Sequence, residues 1–516
     1  MGITVAYVSD LHFTAELRRG ILKMAIAPDN CIVLSAGKFD LANGAGSAGI
    51  EREFKFLKTA PFPSVTIYFH GGLVDLASGE SHASMLNTFF AADQSSPVFL
   101  IWETGIKEVV KQNLPAIFNE AIFQRILRRV AQFVKGKLDK SLLPAVTRGI
   151  SPLQLMREDQ IQAELNAAQT GRVMFAQTPV AQFAPAETLT PAERTQIEIE
   201  IQDDLQLQIQ AQHIANSREA PIAAAKGAIV PGATVTLMDP DVLDDIAPAQ
   251  PGAKGVLSVV TLAAHIVKVV ARVIERFARH RDHGTYLTIN EEILREFYVG
   301  NAGKFIWDGI KKEVDQAFGT TADCGGASLV NQIRALWTGG VKPRITLIGH
   351  SAGSIYVSQL LKELDAKMPA DLKVDVVFIA PACTFTVFAD ALKQATGRIA
   401  HLHIFGMGDP LEMENAIAGP LYPASLLYFV SGVLENESDE PILGMQRFYT
   451  FPVYTAGFPN IASVKAFAPL TLPLAFGWAD FTQGPGANCD MHSHGGWITD
   501  APRTLESVRE IVRIGF

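Results

Sequence analysis

Residues 345–355 are Ile345-Thr346-Leu347-Ile348-Gly349-His350-Ser351-Ala352-Gly353-Ser354-Ile355, an apolar run of strand length that leads through glycines into an amphipathic stretch. The Gly-x-Ser-x-Gly pattern between a strand and a helix is typical of a nucleophile on a sharp turn. Such a turn needs residues without a clashing Cβ two positions before and after Ser351, and it projects the hydroxyl above the sheet. The N-terminus of the following helix would place the Ala352 N–H where an oxyanion forms. The segment predicts Ser351 as a nucleophile, with a structural glycine turn as the alternative.

Strand-length apolar runs alternate with helical stretches on both sides of this segment. The early runs are Ile3–Val8, Cys31–Leu34, Val65–Phe69 and Val98–Trp102. The later region contains the runs Val374–Ile379 and His401–Phe405 and the helical stretches Ser354–Leu364 and Phe385–Gln394. The remaining predicted elements are a helix at Tyr422–Leu434, a last strand at Phe451–Thr455 and a final helix at Ala501–Ile514. This alternation predicts a mostly parallel sheet covered by helices on both faces.

The region from about residue 106 to residue 340 differs from its flanks and is predicted to be mainly helical. Its clearest helical patterns are Ile106–Lys137 and Val256–Arg279, the second with a wide apolar face. The short apolar runs stop before this region and resume after it. The sequence therefore predicts one α/β domain, built from residues 1–105 and 341–516, with a helical insertion at 106–340.

Two stretches of this insertion are less clear. At Pro191–Ile214, Thr190 and Glu193 form a capping-box signal for a helix, yet apolar and polar residues alternate at the period of a strand. Both interpretations stay open. Residues 220–254 are rich in Ala, Pro, Gly and Asp, which favours a mobile linker.

A second glycine-containing segment follows an early strand and has the sequence Ile67-Tyr68-Phe69-His70-Gly71-Gly72-Leu73. Together with the turn at Ser351, it resembles the corresponding segments of the α/β-hydrolase-fold serine esterases and lipases. The resemblance implies an α/β-hydrolase fold with the insertion as a helical cap. It also implies that a backbone N–H of Gly71, Gly72 or Leu73 joins that of Ala352 in an oxyanion hole. A third glycine is common in the family where this chain has Leu73, and the donating amide is left open.

The resemblance further implies a histidine base later in the chain than the serine. His401 and His403 lie in an apolar strand-like run, where packed strand histidines are expected. His492 and His494 lie in a loop near the C-terminus, where the family has its base. His494 is preferred because the glycines that follow it allow a close approach to the serine, and His492 is the alternative.

The orienting acid is expected in the turn Gly406-Met407-Gly408-Asp409-Pro410, just past a strand-like run. A carboxylate there can accept the imidazole N–H and hold the tautomer whose other nitrogen is basic. Asp409 is the preferred acid, and Glu412 and Glu414 are the alternatives. Weaker candidates for contact with a substrate are His70, His350 and Glu103.

These residues predict two-step acyl transfer on a carboxylic ester. Ser351 would attack the carbonyl, while His494 takes its proton and returns it to the leaving alcohol. The chemistry needs no metal and no organic cofactor, and its substrate would be a small molecule or an acyl ester. Amides and thioesters use the same groups, and a non-catalytic protein on the same scaffold is a further alternative.

A competing motif, Asp10-Leu11-His12, resembles the opening metal-binding motif of calcineurin-like metallophosphoesterases. The other ligand motifs of that family are incomplete in this chain. The segment Gly71–Asp75 lacks the first Asp, Gly-Asn-His does not occur, and Met491-His492-Ser493-His494 lacks the Gly. Two divalent cations need a bridging carboxylate and several imidazoles, so the motif is predicted to be a turn instead.

Composition excludes some classes of function. The 516 residues contain 44 Lys and Arg against 53 Asp and Glu, a formal net charge of −9, which is not the basic footprint of a nucleic-acid binder. The four cysteines lie far apart without a CxxC pair, which favours free thiols in a reducing compartment. No secretory signal is visible, and the longest apolar run, Gly255–Val267, is too short to span a bilayer. We expect a cytoplasmic protein, in which Val256–Phe277 packs on the core domain rather than resting on a membrane surface.

Overall fold

The structure of the chain is a computed structural model. It describes residues 30–60, 63–71, 76–102, 106–142, 188–225, 236–247, 256–418, 422–454, 456–472, 474–480 and 482–516. Five of the sequence predictions lie outside these residues: the strand at Ile3–Val8, the motif Asp10-Leu11-His12, Gly72, Leu73 and Glu103.

An eight-stranded sheet runs through the described part of the chain. Its strands are β1 (Cys31–Ser35), β2 (Lys38–Phe39), β3 (Ser64–Phe69), β4 (Ser96–Trp102), β5 (Arg344–His350), β6 (Val374–Ile379), β7 (Ile399–Gly406) and β8 (Phe476–Trp478). Their order across the sheet is β2-β1-β4-β3-β5-β6-β7-β8. Only β2 runs antiparallel to its neighbour, and all the other adjacent pairs are parallel. The predicted α/β class with a mostly parallel sheet is confirmed.

The inner strands are buried along their whole length. Every residue of β4 and of β6 is inaccessible to solvent or nearly so. Since both faces of these strands are covered, they carry apolar residues at consecutive positions instead of an alternating pattern. The continuous apolar runs in the sequence mark these inner strands for the same reason.

The strand order reverses between β3 and β5, which are far apart in the chain but adjacent in the sheet. Phe69 at the end of β3 is paired with Gly349 near the end of β5. In open parallel sheets, ligands bind outside the carboxyl ends of the strands at such a reversal. The topology therefore brings the two glycine segments of the sequence together at one edge of the sheet.

Helices pack on the sheet and join its strands. They are α1 (Gly46–Leu57), α2 (Leu76–Ala92), α3 (Ile106–Asn119), α4 (Ala121–Leu142), α5 (Pro191–Gln202), α6 (Leu205–Ala225), α7 (Pro240–Ile246), α8 (Val256–Ala278), α9 (Thr285–Phe297), α10 (Phe305–Ala317), α11 (Gly325–Thr338), α12 (Gly353–Lys367), α13 (Phe385–Ala395), α14 (Asp409–Glu414), α15 (Leu426–Phe429), α16 (Arg447–Thr450), α17 (Pro459–Thr471) and α18 (Pro502–Ile514). Helices α1 and α2 pack against β4, α12 packs against β5, and α17 packs against β7. Among the described helices, none combines the length and the apolar character needed to cross a membrane.

Between β4 and β5, the elements of the described chain are helices, α3 to α11. The predicted helix at Ile106–Lys137 is divided after Asn119 into α3 and α4, and the one at Val256–Arg279 corresponds to α8. Helix α8 contacts α4, α5 and α9, so it forms the centre of this helical region. Its wide apolar face is buried among those helices.

The ambiguous stretch at Pro191–Ile214 is helical. Thr190 Oγ1 accepts the Glu193 N–H at 3.2 Å, and the Glu193 carboxylate accepts the Thr190 N–H at 2.9 Å, so the capping box forms as its sequence indicates. Ile197 and Ile201, four residues apart, are buried on one face, whereas Ile199 between them is 48% exposed. The alternation suggested a strand because Ile199, an apolar residue on the solvent-exposed face of the helix, lies between the two buried positions.

Two other predictions are corrected. Of the predicted linker 220–254, the described residues include the end of α6 and the whole of α7, so those parts are helical. The predicted last strand at Phe451–Thr455 is wrong, because Pro452–Tyr454 forms a 3₁₀ turn and the last strand is β8. Pro452 lacks the N–H that a strand in the sheet would donate.

A buried ionic cluster ties the helical region to the C-terminal part of the chain. The two nitrogens of His283 lie 2.8 Å from Glu291 Oε1 and 3.0 Å from Asp439 Oδ1, and all three side chains are inaccessible to solvent. Arg276 contacts Glu291 at 2.8 Å. Burial opposes ionisation of Asp439, but hydrogen bonding from His283 and the neighbouring Arg447 charge lower its pKa to about 2. The buried charges are thus balanced by one another.

Candidate active site

Ser351 lies in a tight turn between β5 and α12. Its φ of 51° is a left-handed conformation that residues other than glycine rarely adopt. The Ser351 N–H donates to the Ile379 carbonyl at the end of β6 (2.9 Å), and the Ser351 carbonyl accepts the Ala382 N–H (3.0 Å). The Ser354 hydroxyl donates to the same carbonyl at 2.6 Å. Hydrogen bonds to the neighbouring strand end therefore hold the strained turn in place.

The glycines around Ser351 are required by close backbone contacts. A Cβ at Gly353 would lie 2.2 Å from the Phe69 carbonyl oxygen, and one at Gly349 would lie 3.1 Å from the Gly353 carbonyl. On the opposite side of the turn, a Cβ at Gly71 would lie 2.9 Å from Ser351 Cβ. The steric condition inferred from the sequence thus has a physical basis at all three positions, most strongly at Gly353.

The structure brings His494 to Ser351. His494 Nε2 lies 2.8 Å from Ser351 Oγ, within the range expected of a base and the nucleophile that it activates. Ser351 is 2% exposed and His494 is 7% exposed. The histidine lies in the loop before α18, and this loop reaches the carboxyl edge of the sheet where β3 and β5 end.

The alternative base, His492, does not face Ser351. Its Nε2 lies 2.8 Å from Asp480 Oδ1, and both side chains are more than half exposed. The two strand histidines are also placed away from the serine. His401 is hydrogen-bonded to Asp375 at 2.8 Å, and His403 is fully buried with a pKa lowered by burial to about 3.

The predicted acid is not brought to His494. Asp409 Oδ1 accepts the Tyr428 hydroxyl at 2.7 Å, and the Asp409 N–H donates to the Gln446 side chain. None of Asp409, Glu412 and Glu414 is hydrogen-bonded to His494 in the structure. The contact that the structure gives the Asp409 carboxylate is with a buried tyrosine hydroxyl from a later segment, and its role as the orienting acid stays a prediction.

Glu412 and Glu414 have contrasting surroundings, although both follow Asp409 on α14. Glu412 is inaccessible to solvent. Burial raises the pKa of its carboxyl to about 8, although a hydrogen bond from Ser425 opposes the change. The Glu412 carboxyl is therefore neutral at pH 7. Glu414 is exposed at the end of the helix.

His350 contacts the main chain of the base. Its Nε2 lies 3.0 Å from the His494 carbonyl oxygen, and its ring is 3% exposed. A carbonyl only accepts, so Nε2 carries the proton. Burial lowers the pKa of the His350 imidazole to about 4, which keeps the ring neutral at pH 7. Nε2 is thus occupied by the His494 loop, but His350 also lines the cleft beside Ser351, and its contact with a substrate stays a prediction.

His70, a weaker candidate for substrate contact, is fully buried at the end of β3. Its ring lies edge-on to Trp102 at 5.2 Å and against the backbone of α2 at Gly79. It therefore packs beneath the turn rather than in the cleft.

Two backbone amides, those of Ala352 and Gly71, lie close to Ser351. Ala352 is the N-cap residue of α12, and its side chain makes no capping hydrogen bond. Gly71 follows β3 and lies against the side chain of Ser351. Within the described residues, neither the Ala352 N–H nor the Gly71 N–H donates a hydrogen bond. A helix N-terminus with unused N–H donors favours negative charge. These two amides can therefore serve an oxyanion.

A cleft of about 450 Å³ opens over these groups, a volume suited to a small molecule. Its described lining includes Gly71, Val110, Ser351, Ile417, Leu426 and His494. Val110 comes from α3 of the helical region, Ile417 follows α14, and Leu426 is the first residue of α15. The sequence reasoning missed these three apolar residues, since no local motif marks a side chain that reaches the cleft only through tertiary packing.

Comparison with protein-family models, with curated proteins and with solved structures found no match. A buried serine and imidazole at hydrogen-bond distance, beside two unused amides and an open cleft, can activate a hydroxyl, transfer its proton and stabilise an oxyanion.

Proposed function

We propose that this chain is a serine hydrolase of the α/β-hydrolase type that cleaves carboxylic esters. The observation that carries the proposal is the 2.8 Å contact between His494 Nε2 and Ser351 Oγ at the carboxyl edge of the sheet. The position of this contact, between the ends of β3 and β5, supports it further, because this is where the strand order reverses.

The reaction would proceed in two steps. In the first, His494 Nε2 takes the proton from Ser351 Oγ while this oxygen forms a bond to the ester carbonyl carbon. The tetrahedral oxyanion is bound by the N–H groups of Ala352 and Gly71, and the C–O bond to the alcohol breaks as His494 returns the proton to the leaving oxygen. In the second step, water attacks the acyl-enzyme through the same groups, and the carboxylic acid leaves.

The surroundings of the cysteines support a reducing compartment, and we include the cytoplasm in the proposal on this ground. All four cysteines are free and buried. Two of them, Cys31 and Cys383, have thiol pKa values raised to about 12, with burial as the main cause. Such thiols react slowly with oxidants and with other thiols.

A fluorophosphonate probe tests the nucleophile directly. The wild-type protein should be labelled covalently at Ser351, and S351A should not be labelled. H494Q should be labelled at least about 100-fold more slowly, since it lacks the base. The matched control is H492Q, which removes the exposed neighbouring histidine and should be labelled at the wild-type rate.

A panel of chromogenic substrates tests the bond that is cleaved. We expect p-nitrophenyl esters to be hydrolysed faster than the matching anilide, and the acyl length giving the highest kcat/KM would report the depth of the cleft. Preference for a thioester or for the anilide would move the assignment to thioesterase or amidase. A wild-type protein that neither reacts with the probe nor hydrolyses any of these substrates would refute the enzyme proposal and favour a non-catalytic scaffold.

A further inference from the structure

His350 touches both halves of the proposed catalytic pair. It precedes Ser351 in the strained turn, and its ring donates a hydrogen bond from Nε2 to the His494 carbonyl at 3.0 Å. Its ring centre lies 5.6 Å from that of His494 and 6.3 Å from that of Trp497. A single buried side chain thus connects the nucleophile turn with the loop that carries the base.

Several backbone hydrogen bonds near His494 join residues within the same loop, such as those from the Thr499 and Asp500 N–H groups to the Gly496 carbonyl at 3.1 and 2.7 Å. The hydrogen bond from the Gly496 N–H to the Ser493 carbonyl is long, at 3.4 Å, and it joins residues within the loop. Asn415 donates to the His492 carbonyl at 3.1 Å, but at an exposed position. The two residues after His494 are glycines, which contribute no side-chain packing. The bond from His350 is a buried hydrogen bond that joins the main chain of this loop to the turn at Ser351.

The ring of His350 is also confined on the side of the oxyanion amides. A Cβ at Gly71 would lie 3.0 Å from His350 Nδ1, so the absence of a side chain at Gly71 allows the ring to lie close to the end of β3. The ring is held between Gly71 and the His494 carbonyl, and its hydrogen bond is directed along one line. Because the imidazole is held in place, its hydrogen bond restrains the position of the His494 carbonyl that accepts it.

We propose that His350 is a positioning residue for catalysis: the hydrogen bond from its Nε2 fixes the main chain of His494 so that the His494 ring stays within hydrogen-bond distance of Ser351 Oγ. This inference rests on the proposed function. It assigns to His350 a role that acts through His494, without contact with the reacting atoms. Loss of the donor would loosen the base, and a displacement of about 1 Å costs on the order of 100-fold in rate.

The test compares H350Q, which can place an amide donor near the position of Nε2, with H350M, which has a similar volume but no donor. The measured quantities are the rate constant for fluorophosphonate labelling at saturation, the probe concentration giving half this rate, and kcat and KM on the best p-nitrophenyl ester. We expect H350M to lower kcat and the saturating rate by about 10- to 100-fold, with KM and the half-saturating concentration changed less than about threefold. H350Q should restore most of the rate. A role limited to folding would change the yield of folded protein and leave kcat of the folded fraction unchanged.

The outcomes separate this inference from the function on which it rests. If the wild-type protein is labelled and H350M reacts at the same rate, the positioning role is wrong and the serine hydrolase assignment stands. If the wild-type protein is not labelled and hydrolyses nothing, the proposed function fails, and the positioning role fails with it. Should H350M not fold, H350N replaces it: an asparagine amide is too short to reach the His494 carbonyl, so H350N should be slow and H350Q fast.

Discussion

Glu412→Gln should stabilise the protein by an amount that grows with pH. Glu412 lies on α14, and its side chain is inaccessible to solvent. Burial raises the pKa of its carboxyl from 4.5 to about 8; a hydrogen bond from Ser425 opposes this rise, and the Asp409 charge adds to it. Glutamine has nearly the shape of a protonated glutamic acid and does not ionise. The substitution therefore removes the titration with little change in packing.

The magnitude follows from proton linkage. Between pH 4.5 and 8 the folded protein keeps the Glu412 proton while the unfolded chain has lost it, so this group makes the wild type less stable as the pH rises. At about 1.4 kcal/mol per pH unit, the loss is about 1 kcal/mol at pH 5.5 and about 3 kcal/mol at pH 7. It reaches a plateau of about 5 kcal/mol above pH 8. E412Q should gain these amounts relative to the wild type.

Urea unfolding at pH 5.5, 7.0 and 8.5, followed by tryptophan fluorescence, measures this difference. The matched control is E414Q, two residues further along α14 at an exposed position, whose difference from the wild type should stay within about 0.5 kcal/mol at all three pH values. An E412Q protein whose stability relative to the wild type is the same at pH 5.5 and pH 8.5 would contradict the assignment of a buried, neutral carboxyl.

Packing elsewhere in the fold predicts three further outcomes. G353A should lose about 3 kcal/mol or more of stability, since its Cβ would lie 2.2 Å from the Phe69 carbonyl, whereas G397A, which has open space, should change thermal unfolding little. D439N keeps a residue type tolerated at the observed φ of 55° but removes a buried charge that His283 contacts, so urea unfolding should show a loss of about 3 to 5 kcal/mol. A loss below about 1 kcal/mol would refute that account. A chromogenic disulfide reagent should titrate none of the cysteines in the native protein and all four in denaturant; rapid reaction of the native protein would contradict their burial.

Local steric rules made much of the candidate site predictable. Glycine at positions 349 and 353 is required by backbone contacts within the turn and with the end of β3. The Gly-x-Ser-x-Gly pattern therefore predicts the tight turn at Ser351 without knowledge of the fold. The preference for His494 over His492 came from the glycines that follow it, and the structure places His494, not His492, beside Ser351. In the fold, the continuous apolar runs predicted the inner strands correctly, because a strand that is buried on both faces needs apolar residues at consecutive positions.

What the sequence could not predict depends on contacts between distant segments. The Tyr428 hydroxyl lies against the Asp409 carboxylate, and nothing local in the sequence indicates that this contact forms. The last strand was misplaced because β8 is only three residues long, too short to give an apolar pattern of its own. In both cases, the deciding interaction lies in tertiary packing, which neither composition nor periodicity records.

The partner of Asp409 belongs to a longer polar network that reaches the helical region. Tyr428 donates to Asp409 and accepts from Arg447 at 3.2 Å, and Arg447 also donates to the Tyr454 hydroxyl at 3.0 Å. Tyr454 in turn donates to Asp439 at 2.8 Å, which is the carboxylate that joins His283 of the helical region. Tyr428, Arg447, Tyr454 and Asp439 are buried and need partners, which the network provides, and Asp409 lies at its partly exposed end. The turn after β7 is thereby joined to the helical region through a chain of side-chain hydrogen bonds.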